Sequence, residues 1–418
     1  MPDAIELTVY TLFFVTLYFE VFLLLSFLEH FGRHTRTLGG AQPTRYPSVA
    51  VIVPCYNEEA TIRETVNSLL ALEYPRAQLS LYLVNDGSTD GTLAILREFE
   101  HESQVTVIDK ENGGKHTALN AALPLIDAEL IGCLDSDSFV APNALTEIVR
   151  TLAAHPEAMA ITPAIIIHHP QSIFQYLQRA EYGMSAFIRR TFSFLDSQFV
   201  TPGPFSFFRR EVFAELGPYR HAYNTEDLEI ALRMQERHMK IQNAHRAHIY
   251  TKGPATLRAL VRQRIRWTYG FIKNMVDYRH LLFAPRHGHL GILVLPFSIF
   301  GILSSFIFFG LMLQSLYLVA DQQLLVWQAV GFQLPGLPAL DWYFINTHTV
   351  ILLTMLVIVL TCVLIFIGKS LTGHRINPLG RDMLAYVALY GFVAPLWLIT
   401  ATVNAATARQ TSWQSERS

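Results

Sequence analysis

Charge is scarce in this chain: only 16% of its 418 residues are Asp, Glu, Lys or Arg, where a soluble domain carries about 25%. The 32 basic residues against 34 acidic ones leave a formal net charge of −2. That balance lacks the basic surplus that a phosphate backbone demands, so nucleic acid is excluded as a partner. Cysteine is scarcer still. Cys55, Cys133 and Cys362 are odd in number and far apart, which excludes a disulfide framework and a cysteine-based zinc site. Neither GxGxxG nor GxxxxGK[ST] occurs, and their absence argues against a dinucleotide dehydrogenase and a P-loop ATPase. What is abundant is apolar side chain, 51% hydrophobic with 12% aromatic, too much for a disordered or collagenous chain.

That hydrophobicity is concentrated in four runs. Residues 7–28 read LTVYTLFFVTLYFEVFLLLSFL with Glu20 as their one charge, long enough for a bilayer that needs roughly 20 apolar residues. An acidic MPDAIE precedes them, whereas a secretory signal has a basic start and a shorter apolar core, so a retained anchor is expected. Runs at 290–320, 347–368 and 383–408 follow. Between them a polar domain at 47–254 and an amphipathic region at 255–287 are expected. Arg33, Arg36 and Arg45 after the first run, and Lys369, Arg375 and Arg381 between the last two, place both flanks on the cytoplasmic side by the positive-inside bias. A multi-pass protein of the cell (inner) membrane with a cytoplasmic central domain follows, its 321–346 loop outside. Arg409 and Arg417 leave the carboxyl end less clearly placed. Glu20 is read as facing other helices or a water-filled path.

The central domain alternates strand and helix signals. SVAVIVPCY, LYLVNDGS, TVIDK, LIGCLD and AMAIT are short apolar runs, separated by helical stretches around Leu119, Leu145 and Leu152. Such alternation predicts a parallel sheet covered on both faces, whose ligands bind at the carboxyl ends of the strands. Past the first two strands stand Tyr56, Asn57, Glu58 and Glu59, then Asp86, Gly87, Ser88 and Asp90. NDGSTDGT is by itself compatible with a capped turn. In NGGKHTALN, Gly113 and Gly114 let backbone approach a ligand, and Lys115 offers a point charge suited to phosphate.

After the fourth strand come Asp135 and Asp137, which in extended chain project together. Two adjacent carboxylates suit a Mg²⁺ or Mn²⁺ ion shared with a diphosphate, with a solvated acidic turn as the blander reading. Asn224 and Asp227 are spaced as a capping pair, and the Glu226-Asp227 carboxylates also offer a base for an attacking hydroxyl. In PATLRALVRQRIRWTYGFIKNMVDY, Pro254 suits a first helical turn. There Leu257, Leu260, Val261, Ile265, Tyr269, Ile272 and Val276 share one face and Gln263, Arg266, Trp267 and Gly270 the other. The aliphatic face is expected on the membrane surface, as is the segment with Arg179, Arg189 and Arg190. His168, His169, His245 and His248 are read as surface or satisfied histidines, not a metal site.

Taken in order, VNDGSTDGT, Asp135-Ser136-Asp137, Thr225-Glu226-Asp227 and Gln263-Arg264-Ile265-Arg266-Trp267 resemble the membrane-embedded family 2 glycosyltransferases from about Pro47 to Lys273. That group includes the cellulose, chitin, hyaluronan and poly-N-acetylglucosamine synthases, and the short chain with its Thr-Glu-Asp wording is most similar to the last. The resemblance implies an α/β GT-A-type nucleotide-sugar-binding domain inserted between transmembrane helices, with interfacial amphipathic helices. It implies an inverting hexosyltransferase using a UDP-sugar, best UDP-N-acetylglucosamine, and extending a polysaccharide coupled to its passage across the bilayer. A small membrane partner subunit fits that scheme; the alternative is transfer of one sugar to a lipid acceptor. Tyr56, Glu58 and Asp86 would hold the nucleoside, Lys115 the diphosphate, and Asp135 and Asp137 the nucleotide with its Mg²⁺ or Mn²⁺. Asp227 would be the general base, and Gln263, Arg266 and Trp267 would border the leaving group and the acceptor. Thr201 to Phe208, TPGPFSFF, falls where the family places acceptor residues, but its wording departs from the small-residue versions.

Overall fold

A computed structural model describes residues 4–40, 45–332, 349–373 and 380–407. A long helix, α1 (Ala4–Gly40), leads into β1 (Val49–Cys55), α2 (Ile62–Leu70), β2 (Leu79–Asp86), α3 (Thr92–Arg97), β3 (Val105–Lys110), α4 (Lys115–Ala122) and β4 (Leu130–Cys133). There follow β5 (Ser138–Val140), α5 (Ala144–Ala154), β6 (Ala158–Ile167), α6 (Ile173–Phe194), β7 (Phe207–Arg209), α7 (Arg210–Leu216), α8 (Glu226–Glu236), β8 (Lys240–Thr251) and α9 (Leu257–Asp277). The chain ends in α10 (Leu295–Val330), α11 (Thr349–Leu371) and α12 (Arg381–Ala406).

Strand β1 shows why the runs are apolar throughout. Side chains alternate across a strand, and here both faces are covered. Val49, Val51 and Val53 pack with Ile62, Leu69, Leu145 and Ile148. Ala50 and Ile52 pack on the other side with Leu119, Ile131, Ile230 and Met234. Each fully buried side chain of this kind contributes about 1.5–3 kcal/mol.

The eight strands run in the order β3-β2-β1-β4-β7-β6-β8-β5. β3, β2, β1 and β4 are parallel neighbours, as are β6 and β8. β7 is antiparallel to both β4 and β6, and β5 is antiparallel to β8. The wholly parallel sheet expected from the alternation is therefore corrected to a mixed one. The two reversed strands are three residues each, too short for a periodic signal. β8 also escaped the pattern, because its buried positions include Gln242, Asn243 and His245. The Asn243 amide donates to the Thr162 hydroxyl (3.1 Å), and Gln242 accepts from the Ser193 hydroxyl (2.6 Å). Hydrogen bonding lets a strand bury polar groups.

Among the described residues four helices are long and apolar enough to cross a membrane: Leu7–Gly32, Leu290–Val330, Thr349–Leu371 and Arg381–Ala406. The second runs ten residues past its expected end at 320. Thr347, Ala408, the 333–346 part of the loop, and Arg375, Arg409 and Arg417 lie outside the described residues. Phe19, Leu23 and Phe27 of α1 share a core with Phe187, Leu232, Met275, Leu295 and Leu364, which joins these helices to α6, α8 and α9. Gly183 and Gly368 bring α6 and α11 into backbone contact, since a methyl on Gly368 would overlap the Gly183 carbonyl. Lys369 and Asp382 form a buried ion pair between α11 and α12, with Arg179 of α6 at 3.5 Å.

Helix α9 starts at an N-cap Thr256, whose hydroxyl accepts from the Ala259 amide (3.3 Å); Pro254 precedes the helix instead of lying in its first turn. Leu260, Val261 and Ile265 pack on Val393, Ala394 and Trp397 of α12, while Leu257 and Val276 stay exposed.

Candidate active site

Asp86 ends β2 fully buried, and its carboxylate accepts from Lys110 Nζ (2.5 Å) and from the amides of Gly113 (3.1 Å) and Gly114 (2.9 Å). Gly114 has φ +88°, a backbone state that costs glycine little. The carboxylate therefore shapes the loop that delivers Lys115 as the first residue of α4. Lys115 Nζ bridges Asp135 Oδ1 at 2.7 Å and Glu226 Oε1 at 3.0 Å. Burial works against its charge, but Asp135 and Glu226 hold its pKa well above the usual lysine value.

Glu226 and Asp227 occupy the first turn of α8. The expected Asn224–Asp227 capping pair is replaced by Thr225 at the N-cap, where its hydroxyl donates to the Ala222 carbonyl (2.8 Å) and accepts from the Asn274 amide (3.0 Å). A methyl on Gly270 would lie 2.4 Å from the Thr225 side chain, so α9 can approach only because this residue is glycine. Ala222, Tyr223 and Asn224 all have positive φ, at +43°, +56° and +62°. Consecutive non-glycine residues in that region are strained, and such strain gathers at functional sites. Thr201 donates to the Asp227 carbonyl through its amide (3.2 Å) and its hydroxyl (2.8 Å), tying the 201–208 segment to the same turn.

The neighbouring carboxyls are driven apart. Burial and the adjacent Glu226 charge push Asp227 up to about 6. Burial would also raise Glu226, but the Lys115 ammonium outweighs it and, with help from Arg266, leaves it below the usual value. At neutral pH Asp227 is ionised yet basic, the state a general base requires. Gly203 presses on the same group: a methyl there would sit 2.7 Å from Lys115 Nζ and 3.1 Å from both Asp135 carboxylate oxygens.

Of the Gln-Arg-Ile-Arg-Trp stretch, Arg266 reaches Glu226 electrostatically. Gln263 and Trp267 engage Arg264 instead: Gln263 Oε1 accepts from it at 3.2 Å, and its guanidinium stands 4.2 Å over the Trp267 ring. Arg264 is buried and paired with Glu181 of α6 at 2.7 Å. Trp267 keeps 38% of its surface open, enough for an aromatic face to meet a ligand.

Tyr56 and Glu58 follow β1. The Asn57 amide donates to the Ser88 hydroxyl (3.0 Å), the Glu58 amide to the Thr92 hydroxyl (2.7 Å) and the Glu59 amide to Asp90 (3.2 Å). The loops after β1 and β2 are thus laced together beside Asp86. Burial of Asp90 is outweighed by hydrogen bonds from Thr92, which keep its carboxyl below the usual range.

Asp135 and Asp137 do not lie in extended chain. The Ser138 amide closes a turn onto the Asp135 carbonyl (3.0 Å), so their common direction cannot rest on strand geometry, a correction to the sequence argument. Asp137 accepts from the Ser138 hydroxyl (3.0 Å) and lies within electrostatic reach of Tyr182. Among the described residues no group of three metal-ligating side chains occurs. Asp135 and Asp137 are each half-buried, and carboxylate oxygens are the donors chosen by an ion that takes one or two protein ligands and completes its shell with phosphate and water.

The structure thus gathers Lys115, Asp135, Glu226, Asp227 and Arg266, and sets Tyr56, Glu58 and Asp86 on the adjoining strands of the same edge. Glu226 entered the sequence reading only as an alternative base beside Asp227, and Gly203 was not singled out. The Thr-Glu-Asp wording contained the first, but a buried ion pair between residues 115 and 226 has no sequence signature.

A curled mixed sheet with this charged edge and these flanking helices is a GT-A-like α/β fold. The mannosyltransferase PcManGT from Pyrobaculum calidifontis, solved with GDP-Man and Mn²⁺, superposes with a TM-score of 0.58 at 20% identity over 95% of this chain and 99% of that one. The description "Glycosyltransferase like family 2" matches residues 47–270, and the chain belongs to that family. The poly-beta-1,6-N-acetyl-D-glucosamine synthase of Staphylococcus epidermidis is 29% identical over 224 residues, 53% of this chain and 54% of that protein. Its counterpart in Staphylococcus aureus strain COL is 27% identical over the same extent. The chain spans about half the length of the curated relatives it matches.

Proposed function

We propose that the protein transfers a hexose, best N-acetylglucosamine from UDP-N-acetylglucosamine, onto a growing polysaccharide, with inversion at the anomeric carbon. The observation that carries this reading is the Lys115 bridge between Asp135 and Glu226 with Asp227 beside it. The names of the synthases similar to it support the sugar and the polymer.

In this reading Tyr56 and Glu58 flank the nucleoside, Asp86 positions the loop beneath it, and Lys115 and Arg266 face the diphosphate. Asp135 and Asp137 would hold Mg²⁺ or Mn²⁺, which when bound offsets charge on the diphosphate. Asp227 takes the proton of the acceptor hydroxyl as its oxygen bonds to the anomeric carbon. The bond from that carbon to the diphosphate oxygen breaks, and UDP leaves with the electron pair. Trp267 and Gln263 border the acceptor. The central domain faces the cytoplasm, the apolar helices carry the product across the bilayer, and a small membrane subunit assists.

UDP release from membranes offered a panel of UDP-sugars, followed by sizing of the product, tests the proposal. Release with UDP-N-acetylglucosamine and long products are expected. One sugar per lipid would replace the polymerase reading with single transfer to a lipid, and no release with any donor would end both.

A further inference from the structure

Along the strand order the catalytic edge divides into three zones, each a group of strand ends, and the last of them meets α2 where the Val140 amide donates to the Ser68 hydroxyl (3.1 Å). β3, β2 and β1 end at the loops that carry Asp86 and Glu58; β4 and β7 stand at the centre with Asp135; β6, β8 and β5 form the far side. β6 and β8 run in the direction of β4, and β5 is antiparallel to β8 with Ser138 opposite Thr251. The end of β6, the end of β8 and the start of β5 therefore all emerge at the ligand edge. The proposed function gives the first zone to the nucleotide and the second to the reaction, and leaves the third without a role.

In that third zone four rings from three distant stretches of sequence converge. Phe139 stacks on Tyr250 with centroids 5.3 Å apart and meets the His168 edge at 4.8 Å. His168 lies 5.4 Å from Tyr250 and 3.9 Å from His169. His169 is exposed and the other three are half-buried. His169 also has φ +40°, so the backbone holds its ring against His168 at a cost in strain. Phe139 is two residues beyond Asp137. Burial and the neighbouring His169 lower the His168 pKa, which favours the neutral ring. Glu64 and Lys252, paired at 3.1 Å and each about half exposed, border the rings and offer partners for hydroxyl groups. An aromatic surface with polar groups at its rim suits the apolar face of a hexose.

We propose that Phe139, His168, His169 and Tyr250 form a carbohydrate subsite that holds the acceptor glycan beside the reaction centre. This rests on the glycosyltransferase reading above, and it extends the acceptor site from Gln263 and Trp267 to rings outside the Gln-Arg-Ile-Arg-Trp helix.

The test uses the full chain in detergent without donor, and measures affinity for a β-1,6-linked N-acetylglucosamine tetrasaccharide and, separately, for UDP. His169→Ala and Phe139→Leu should each weaken tetrasaccharide binding about tenfold, the loss of one ring contact, with UDP affinity unchanged. His169→Tyr should retain binding, because it restores a ring. Unchanged tetrasaccharide affinity in both ring-deleted variants would overturn the subsite, as would a wild-type chain that binds no tetrasaccharide. Phosphatidylglycerol vesicles binding through these residues in place of the sugar would assign the rings to the bilayer and overturn it too. Affinity is read without turnover, so the result decides the subsite even if no donor supports UDP release, the outcome that instead ends the functional reading.

Discussion

Asp227→Asn should abolish turnover and stabilise the protein at the same time. The substitution preserves shape: Asn can still accept from the Leu228 amide, which reaches Asp227 Oδ1 at 2.9 Å, and the Thr201 bonds go to the backbone carbonyl. What is removed is a charge that burial and Glu226 disfavour. The carboxyl rises from 3.8 to about 6 on folding, and at about 1.4 kcal/mol per pH unit its ionisation weakens the native state by about 3 kcal/mol. Because the folded value is the higher one, the wild type has its full stability below about pH 4 and loses it as pH rises through about 6. The advantage of the Asn variant should therefore be absent near pH 4, grow between, and be complete by pH 7. Thermal unfolding in detergent from pH 4 to 8 reads this, and UDP release at pH 7.5 should fall about 10²- to 10⁴-fold. A variant less stable than wild type at pH 8 would refute the electrostatic account. Turnover within tenfold of wild type would refute Asp227 as the base.

Three further outcomes follow from the same geometry. Gly203→Ala sets a methyl 2.7 Å from Lys115 Nζ, the mobile end of that side chain, so the fold should tolerate it while the displaced ammonium lowers UDP affinity about fivefold in a titration, roughly 1 kcal/mol; unchanged affinity would mean that the ammonium yields without cost to the donor. Chelation with EDTA should stop UDP release and added Mn²⁺ or Mg²⁺ should restore it, whereas full turnover in EDTA would strip Asp135 and Asp137 of a metal role. Lys369→Met leaves the buried Asp382 with Arg179 at 3.5 Å as its cationic neighbour among the described residues and should cost about 3–5 kcal/mol, read as a lower unfolding midpoint that Asp382→Asn partly restores; an unchanged midpoint would mean the pair does not hold α11 to α12.

What was legible in the sequence was whatever repeats or contrasts with its surroundings. The strands β1, β2, β3, β4 and β6 stood out as apolar runs because both faces of that sheet are covered, and the long apolar helices stood out for a different reason: most of their apolar surface is left uncovered by the protein, as a bilayer requires. β8 was hidden because it satisfies buried Gln242 and Asn243 by hydrogen bonding, a solution that depends on partners 49 and 81 residues away. The acidic motifs were visible as composition, but not their division of labour. Asp86 was expected at the nucleoside, and its carboxylate is taken up in shaping the Gly113-Gly114 loop. Glu226 was visible as a helix-start residue or a candidate base but not as the partner of Lys115, since only the fold brings that lysine to it.

The charges at this centre also constrain how a donor can enter. Lys115 stands among three carboxylates, Asp135, Glu226 and Asp227, and Arg266 supplies a second positive charge near Glu226. At pH 7.5 that leaves one uncompensated negative charge, with Asp137 a second close along the chain. A nucleoside diphosphate arriving alone would add more of the same sign, and in a partly buried site such repulsion is weakly screened. A divalent cation entering with the diphosphate reverses the sign of the encounter, and two carboxylates following β4 give it somewhere to sit. The same imbalance keeps Asp227 basic before the donor arrives, and any cation that binds near Asp135 must draw that basicity down. The base is therefore strongest in the empty site, and how far it weakens on loading depends on how tightly Lys115 and Glu226 stay paired once the diphosphate competes for the lysine.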